Sequence, residues 1–365
     1  MMTVFSGYVI EKRLVPSSTS FVIVPLVSII LALLVGAVFL VLSGHNFWEV
    51  YKVMFAGAFG SIYGITETIV KAIPLTITGL GVALAFRMQL WNIGGEGQLY
   101  MGAFAATWVA LNFSDAEEWW VLPLMITLGM LAGGLWALVP AIPRAIWGVN
   151  EIITTLMLNY VAIFWVDYLV YGPWKDPNGY NFPLTAPFSP AAILPVLGHS
   201  RIHAGLFFGL FIALLFYIII YHTRWGYEIR VCGESPDAAR YAGININKNI
   251  LLVMFVSGAV CGLAGMAEVS GIAHRLQHGL STGYGYTAII IAWLSRLHPF
   301  VIIVVAFLFG ALQVGGYIVQ TSGIPSSMVA MLQGLLLFFV LGGELLTNYR
   351  IARKTPAYSS GDDAS

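Results

Sequence analysis

Three stretches of this chain place polar residues at spacings that could do chemistry. The first is Asn92-Ile93-Gly94-Gly95-Glu96-Gly97-Gln98. Three glycines release the backbone from helical geometry, and a glutamate interrupts an otherwise apolar region. Irregular backbone at membrane depth is tolerated only where it is buried in protein or lines a wet cavity, and an ionised acid there is costly. The stretch reads either as a broken helix beside a solute path, with Asn92, Glu96 and Gln98 facing it, or as a tight turn between two spans.

The second set is a pair of polar stripes. Glu151, Thr155 and Asn159 recur every four residues and share one helix face; Gln313, Tyr317 and Gln320, spaced four and three apart, share another, while Gln333 stands alone. Uncharged polar groups can pass hydrogen bonds to a neutral, hydroxyl-bearing solute without trapping charge. The same groups also suit hydrogen bonds between helices, worth about 0.6 kcal/mol each on average. Asn150 and Glu151 equally suit an ordinary helix start, a cap followed by an acid near the positive dipole end. The candidate path residues are therefore Asn92, Glu96, Gln98, Thr155, Asn159, Gln313, Tyr317 and Gln320.

The third stretch is Glu234, Ser235, Pro236, Asp237, Ala238, Ala239, Arg240, Tyr241, Ala242 and Gly243. Ser235 can cap a helix, Pro236 suits its first turn, Asp237 favours the N-terminal dipole, and Gly243 can close it. A helix of about seven residues is not stable alone in water. It must dock, either on its own chain or on another protein in the cytoplasm, and its isolation in a long basic loop favours the second.

Enzyme signatures are missing. There is no Gly-x-x-x-x-Gly-Lys-Ser/Thr phosphate loop and no His-Glu-x-x-His pair. Cys232 and Cys261 suggest no disulfide framework. His274 and His278 sit four apart but have no third ligand, so no metal is expected. Zero formal net charge gives no case for nucleic acid. The acids Asp167, Glu268 and Glu344 fall near span ends, whereas a proton- or sodium-driven carrier keeps ionisable groups in mid-membrane. The driving force is expected to come from elsewhere.

The elements that must hold these residues are membrane spans. Of 365 residues, 59% are hydrophobic and only 9% charged, with mean hydropathy +0.84, against roughly a quarter charged in soluble domains. Unbroken apolar runs such as 21–42 lack the alternation of barrel strands. That run is also too long for a signal-peptide core and no small-x-small site follows, so it reads as a retained span. The expected spans are 21–43, 69–87, 97–113, 121–142, 149–171, 203–222, 250–272, 283–296, 299–319 and 325–345. The eighth is short and reads as a half-helix or re-entrant piece.

With the N-terminus inside, Lys12, Arg13, Arg87, Arg144, Arg224, Arg230, Arg240, Lys248, Arg296, Arg350, Arg353 and Lys354 lie inside. Lys52, Lys71, Lys175, Arg201 and Arg275 lie outside, the positive-inside bias. The expected fold class is an all-α integral membrane protein, a polytopic bundle of about ten transmembrane helices, in one domain over 1–365 with its core at 21–345. The basic loop 223–249 faces the cytoplasm, the loop 172–202 caps the outside, and the tail 359–365 is expected to be disordered. Gly129/Gly133 and Gly258/Gly262 are small-xxx-small pairs that let helices approach closely. Glycine-rich breaks at 94–97 and 279–285, in units of opposite orientation, suggest an inverted repeat.

The motifs at 92–98, 148–160 (Gly-Val-Asn-Glu-Ile-Ile-Thr-Thr-Leu-Met-Leu-Asn-Tyr), 235–244 and 283–289 (Gly-Tyr-Gly-Tyr-Thr-Ala-Ile) occur in this order. Together they resemble the permease subunits of bacterial ABC importers, in the group with ribose, branched-chain amino-acid and nucleoside permeases. The nearest likeness is to the longer of the two paired permeases of nucleoside importers. Gly95 stands where many relatives carry another small residue. The resemblance implies an inner-membrane transport subunit, not an enzyme, with no cofactor of its own and ATP-Mg held by a cytoplasmic ABC ATPase. Residues 234–243 would be the coupling helix seated on that ATPase. A second permease would complete a heterodimer, and an extracytoplasmic solute-binding protein would deliver a nucleoside, with a simple sugar such as ribose next. A stand-alone secondary carrier is the alternative, and an intramembrane enzyme finds no nucleophile–base pair.

Overall fold

The computed structural model describes residues 2–5, 8–12, 20–113, 119–198, 200–321, 323–325 and 327–353. Arg13, Lys354 and the tail 359–365 lie outside the described residues. In chain order the elements are β1 (Met2–Phe5), β2 (Tyr8–Lys12), α1 (Ser20–Leu42), α2 (Phe47–Phe59), α3 (Ile62–Arg87), α4 (Gly95–Asn112), α5 (Val121–Trp147) and α6 (Glu151–Tyr171). They continue as α7 (Gly205–His222), α8 (Arg224–Glu234), α9 (Pro236–Tyr241), α10 (Ile246–Glu268), α11 (Tyr284–Leu294), α12 (Pro299–Gln320), α13 (Ser327–Asn348) and β3 (Tyr349–Arg353). A π-helical turn, Val269–Ala273, extends α10.

Every expected span coincides with a helix. Among the described residues, α3, α5, α6, α7, α10 with its extension, and α12 are long and apolar enough to cross a membrane. Shorter apolar stretches are Leu26–Leu42, Tyr284–Leu294 and Ala330–Val340. At 11 residues, α11 reaches about 16 Å at the α-helical rise, roughly half a bilayer core.

Contacts divide the chain into two units. The first comprises Met1–Phe47 and Ala330–Ser365. In it Ser28 Oγ of α1 donates to the Phe339 carbonyl of α13 at 2.9 Å. It also holds an antiparallel sheet of order β1-β2-β3, with Tyr8 opposite Arg353 and Lys12 opposite Tyr349. The rest is helical as expected, and this short sheet adds to the bundle: segments 8–10 and 349–351 are rich in aromatic and β-branched residues that favour extended backbone.

The second unit, Trp48–Val329, carries the polar stretches. Its centre is a glycine seam where α5 and α10 touch backbone to backbone. A Cβ at Gly133 would fall on the Gly258 carbonyl, and one at Gly258 on the Gly133 carbonyl. The exchange of side chains for close approach suits a span, where packing drives association. Three features depart from the expected map. α2 was not expected, because Trp48, Glu49 and Lys52 break its apolar pattern. α3 starts seven residues early, at a cap where Ser61 Oγ accepts from Gly64 N at 3.0 Å. α8 occupies the loop ahead of the short helix.

The α6–α7 loop is tied to the segment after α10. Thr185 N donates to the Leu276 carbonyl, Phe188 N to His274 and Leu194 N to Ser270, all at 2.9–3.1 Å. Near the end of this loop His203 is fully buried, and burial, with the nearby His274, lowers its pKa to about 4.

Candidate functional site

The break between α3 and α4 is the centre of a buried polar knot. α3 ends at Arg87, and the chain turns through Gln89, held at φ +56°, before α4 begins at Gly95. Asn92 and Gln98 form a reciprocal amide pair, Nδ2 to Oε1 at 3.0 Å and Nε2 to Oδ1 at 2.9 Å. Asn92 Nδ2 also donates to Ser257 Oγ of α10 at 2.8 Å. Ser257 in turn donates to the Gly81 carbonyl of α3 at 2.7 Å. One amide thus ties α3, α4 and α10 together.

Asn159 of α6 closes the other side. Its Oδ1 accepts from Gly97 N at 2.8 Å and its Nδ2 donates to the Ile93 carbonyl at 2.9 Å. A longer contact, 3.4 Å, reaches Tyr286 Oη of α11. One turn back, Thr155 returns its hydroxyl to the Glu151 carbonyl at 2.7 Å. Glu151 braces the break itself: Oε1 accepts from Trp91 N at 3.1 Å, and Oε2 pairs with Arg144 Nε at 3.1 Å.

Within the knot, Glu96 makes the longest reach in sequence. Its Oε2 accepts from Gly285 N of α11 at 2.6 Å, and it is 2% exposed. Two helix N-termini, of α4 and α11, therefore converge on one carboxylate, the sign both helix dipoles favour. Ser281 Oγ completes the α11 start, accepting from Gly283 N and Tyr284 N at 3.1 and 3.0 Å.

Five of the candidate path residues, Asn92, Glu96, Gln98, Thr155 and Asn159, are thus brought together and buried. The other three are not. Gln313 is half-buried, while Tyr317 and Gln320 are exposed on α12. No hydrogen bond joins them to the knot among the described residues. Periodicity identified a shared face but not the direction it points. Ser257 carried no signal; Ser281, Gly285 and Tyr286 lay in the break 279–285 and the motif 283–289 but were not named as path residues. His274 and His278 lie beyond the π turn rather than on one helix face. His278 Nδ1 instead meets Asp167 Oδ1 at 2.7 Å, and no group of three metal-binding side chains occurs among the described residues.

Asn159→Leu is expected to destabilise the protein by about 1–3 kcal/mol, because Gly97 N loses a buried acceptor. Asn178→Leu, at an exposed loop site, is expected to change stability by less than about 0.5 kcal/mol. Thermal melts of the two purified variants check this, and equal melting points would remove the bracing role of Asn159.

The short helix is α9. Ser235 Oγ accepts from Ala238 N at 3.3 Å, Pro236 opens it, and Gly243 follows at φ +71°. Asp237, Ala238, Arg240, Tyr241, Ala242 and Gly243 are exposed, but Ala239 is buried. α8 carries this helix and packs tightly on the end of α3. A Cβ at Gly233 would fall on the Arg87 carbonyl and 3.2 Å from Met88 Cα.

Residues 64–341 match the family of branched-chain amino acid transport system permease components. The chain belongs to that family. Among relatives of the permease, a glucose ABC transporter permease of Haloferax volcanii is 38% identical over 93% of this chain and 94% of its own. A guanosine ABC transporter permease of Bacillus subtilis is 35% identical over 88% and 93%. A second guanosine ABC transporter permease of that organism is 27% identical over 76% and 91%. No solved structure matches. The permease is a multi-pass transport subunit, not an enzyme; ATP hydrolysis belongs to a separate chain, and the family implies ATPase and solute-binding partners.

Proposed function

We propose that the permease is one of two paired, non-identical membrane subunits of an importer that moves a nucleoside inward across the cell's inner membrane, with a simple sugar as the second reading. The observation that carries it is the buried knot joining Asn92, Glu96, Gln98 and Asn159 at the meeting of two broken helices. A solute path through such a region meets hydrogen-bonding groups and little net charge. Guanosine and glucose, the solutes in the relatives' names, share an uncharged, hydroxyl-bearing ring. The two guanosine permeases of one organism support the heterodimer.

The chain then crosses the membrane about ten times, as one domain with its core at 21–345 and the loop 223–249 in the cytoplasm. The pairing of β2 with β3 supports termini on one side, and the lysine and arginine bias assigns that side to the cytoplasm. The breaks before α4 and α11 belong to inverted halves. α9 seats on the ATPase, where ATP-Mg is bound, and the permease itself needs no cofactor. The path runs along α4, α6 and α11 beside the knot.

The test is mild-detergent purification from the native membrane with mass spectrometry of the co-purified chains. Reconstitution with guanosine and glucose as separate substrates follows. An ATPase, a second permease and ATP-dependent guanosine uptake are expected. Glucose uptake alone favours the sugar reading. Solute movement by the isolated chain without ATP overturns the importer in favour of a secondary carrier.

A further inference from the structure

α3, α10 and α11 meet around a second polar group that the knot does not use. Lys71, well inside α3, donates from Nζ to Tyr284 Oη at 2.9 Å and lies 5.6 Å from that ring's centre. Tyr284 Oη donates onward to Glu268 Oε1 at 3.3 Å. Tyr284 is fully buried and Glu268 is 4% exposed. Glu268 Oε2 is buried too, and finds no donor among the described residues.

Each element here is expensive in a membrane span unless it has a use. Ionisable residues within spans face protein or a wet cavity and mark solute and ion pathways. A buried acceptor left unpaired costs about 1–3 kcal/mol. Glu268 is also the residue at which α10 gives way to its π turn, a distortion frequent at functional sites. Tyr284 neighbours Gly285, the residue that holds Glu96, so the trio and the knot adjoin.

We propose that Lys71, Tyr284 and Glu268 form a recognition site for the sugar ring of the solute, in which Glu268 Oε2 accepts from one ring hydroxyl and the Lys71 ammonium donates to its neighbour. The inference rests on the nucleoside reading above. An ammonium has three donors, and Tyr284 takes one. Lys71 and Glu268 bond the same hydroxyl, so one small solute can touch both. A vicinal diol offers a donor and an acceptor on adjacent atoms and adds no charge to a site that already holds one of each sign. An anionic solute would face Glu268, a cationic one Lys71, and an apolar one would leave Oε2 unpaired. In this conformation only Lys71 is partly exposed, so the site is closed, and its opening belongs to the transport cycle.

The experiment uses the assembled importer in proteoliposomes, with guanosine and 2′,3′-dideoxyguanosine delivered at saturating binding protein. The unaltered importer is expected to move guanosine about a hundredfold faster, the equivalent of two lost hydrogen bonds to charged groups. Glu268→Gln and Lys71→Met are expected to bring the two rates together, through loss of guanosine transport. If Glu268→Gln assembles poorly, Tyr284→Phe, which keeps the ring and removes one hydroxyl, carries the comparison. A preference that survives the variants, with both solutes slowed alike, gives the trio a purely structural role and overturns the inference alone. Failure of the unaltered importer to move guanosine at all overturns the nucleoside reading and the inference with it.

Discussion

Gly285→Ala is expected to abolish uptake and lower the melting point of the purified permease, while Gly334→Ala leaves both unchanged. The Cβ of an alanine at 285 would lie 2.5 Å from Glu96 Cα and closer still to Glu96 N. These are backbone atoms of the first turn of α4, and no rotamer change relieves them. The two helix starts must separate, and the 2.6 Å bond from Gly285 N to Glu96 Oε2 separates with them. Overpacking of this kind costs about 1–3 kcal/mol, and an orphaned buried acceptor about as much again. Together they approach the whole stability of a typical domain, about 5–15 kcal/mol. At Gly334 nothing among the described residues lies within 4 Å of the added methyl. Size-exclusion profiles, thermal melts and uptake separate the two variants; a fully active Gly285→Ala permease would show that α4 and α11 have slack between them.

The second large effect is at α9. Tyr241→Ala is expected to leave membrane insertion intact and to remove uptake together with solute-stimulated ATPase activity. Tyr241 is 95% exposed, and no contact among the described residues explains a large aromatic there. Aromatic anchors of this kind carry about 2 kcal/mol or more of an interface, equivalent to a loss of affinity of roughly 30-fold. Arg240 is a weaker probe, because its bond to Asp237 Oδ1 at 2.9 Å joins two exposed groups that contribute little. Ala239 is a misleading one: it is buried, so a large side chain there disturbs the fold of the loop before it touches any partner. Measured uptake by Tyr241→Ala at the unaltered rate would move the ATPase contact elsewhere.

What the sequence disclosed follows from how local the signal was. The helix caps at Asn150 and Ser235 were legible because the side-chain oxygen and the backbone N–H that donates to it lie within three residues of each other. The break at 92–98 was legible because glycine and a lone acid stand out in an apolar run. The meeting of Glu96 with Gly285, and of Lys71 with Tyr284, was not, because each bond spans about half the chain and spacing says nothing across such distances. Gln313, Tyr317 and Gln320 show the converse limit. Helical period places them on one face, but only the neighbours of α12 decide whether that face looks into the core. α2 and the opening turns of α3 were hidden by their own mixed composition, and the terminal sheet by its shortness.

The packing of Gly233 on Arg87 and Met88 bears on how force travels through this molecule. A flexible tether between α9 and the membrane helices would absorb a small displacement in its own bending. Here the arm rests against main chain with no side chain between, and Met88 is four residues from Asn92, the residue that ties three helices together. Under the proposed coupling, a shift of the arm by a fraction of an ångström is handed to the root of the α3–α4 break as a push of similar size. The joint behaves as a gear without backlash, and its precision depends on the smallest side chain available.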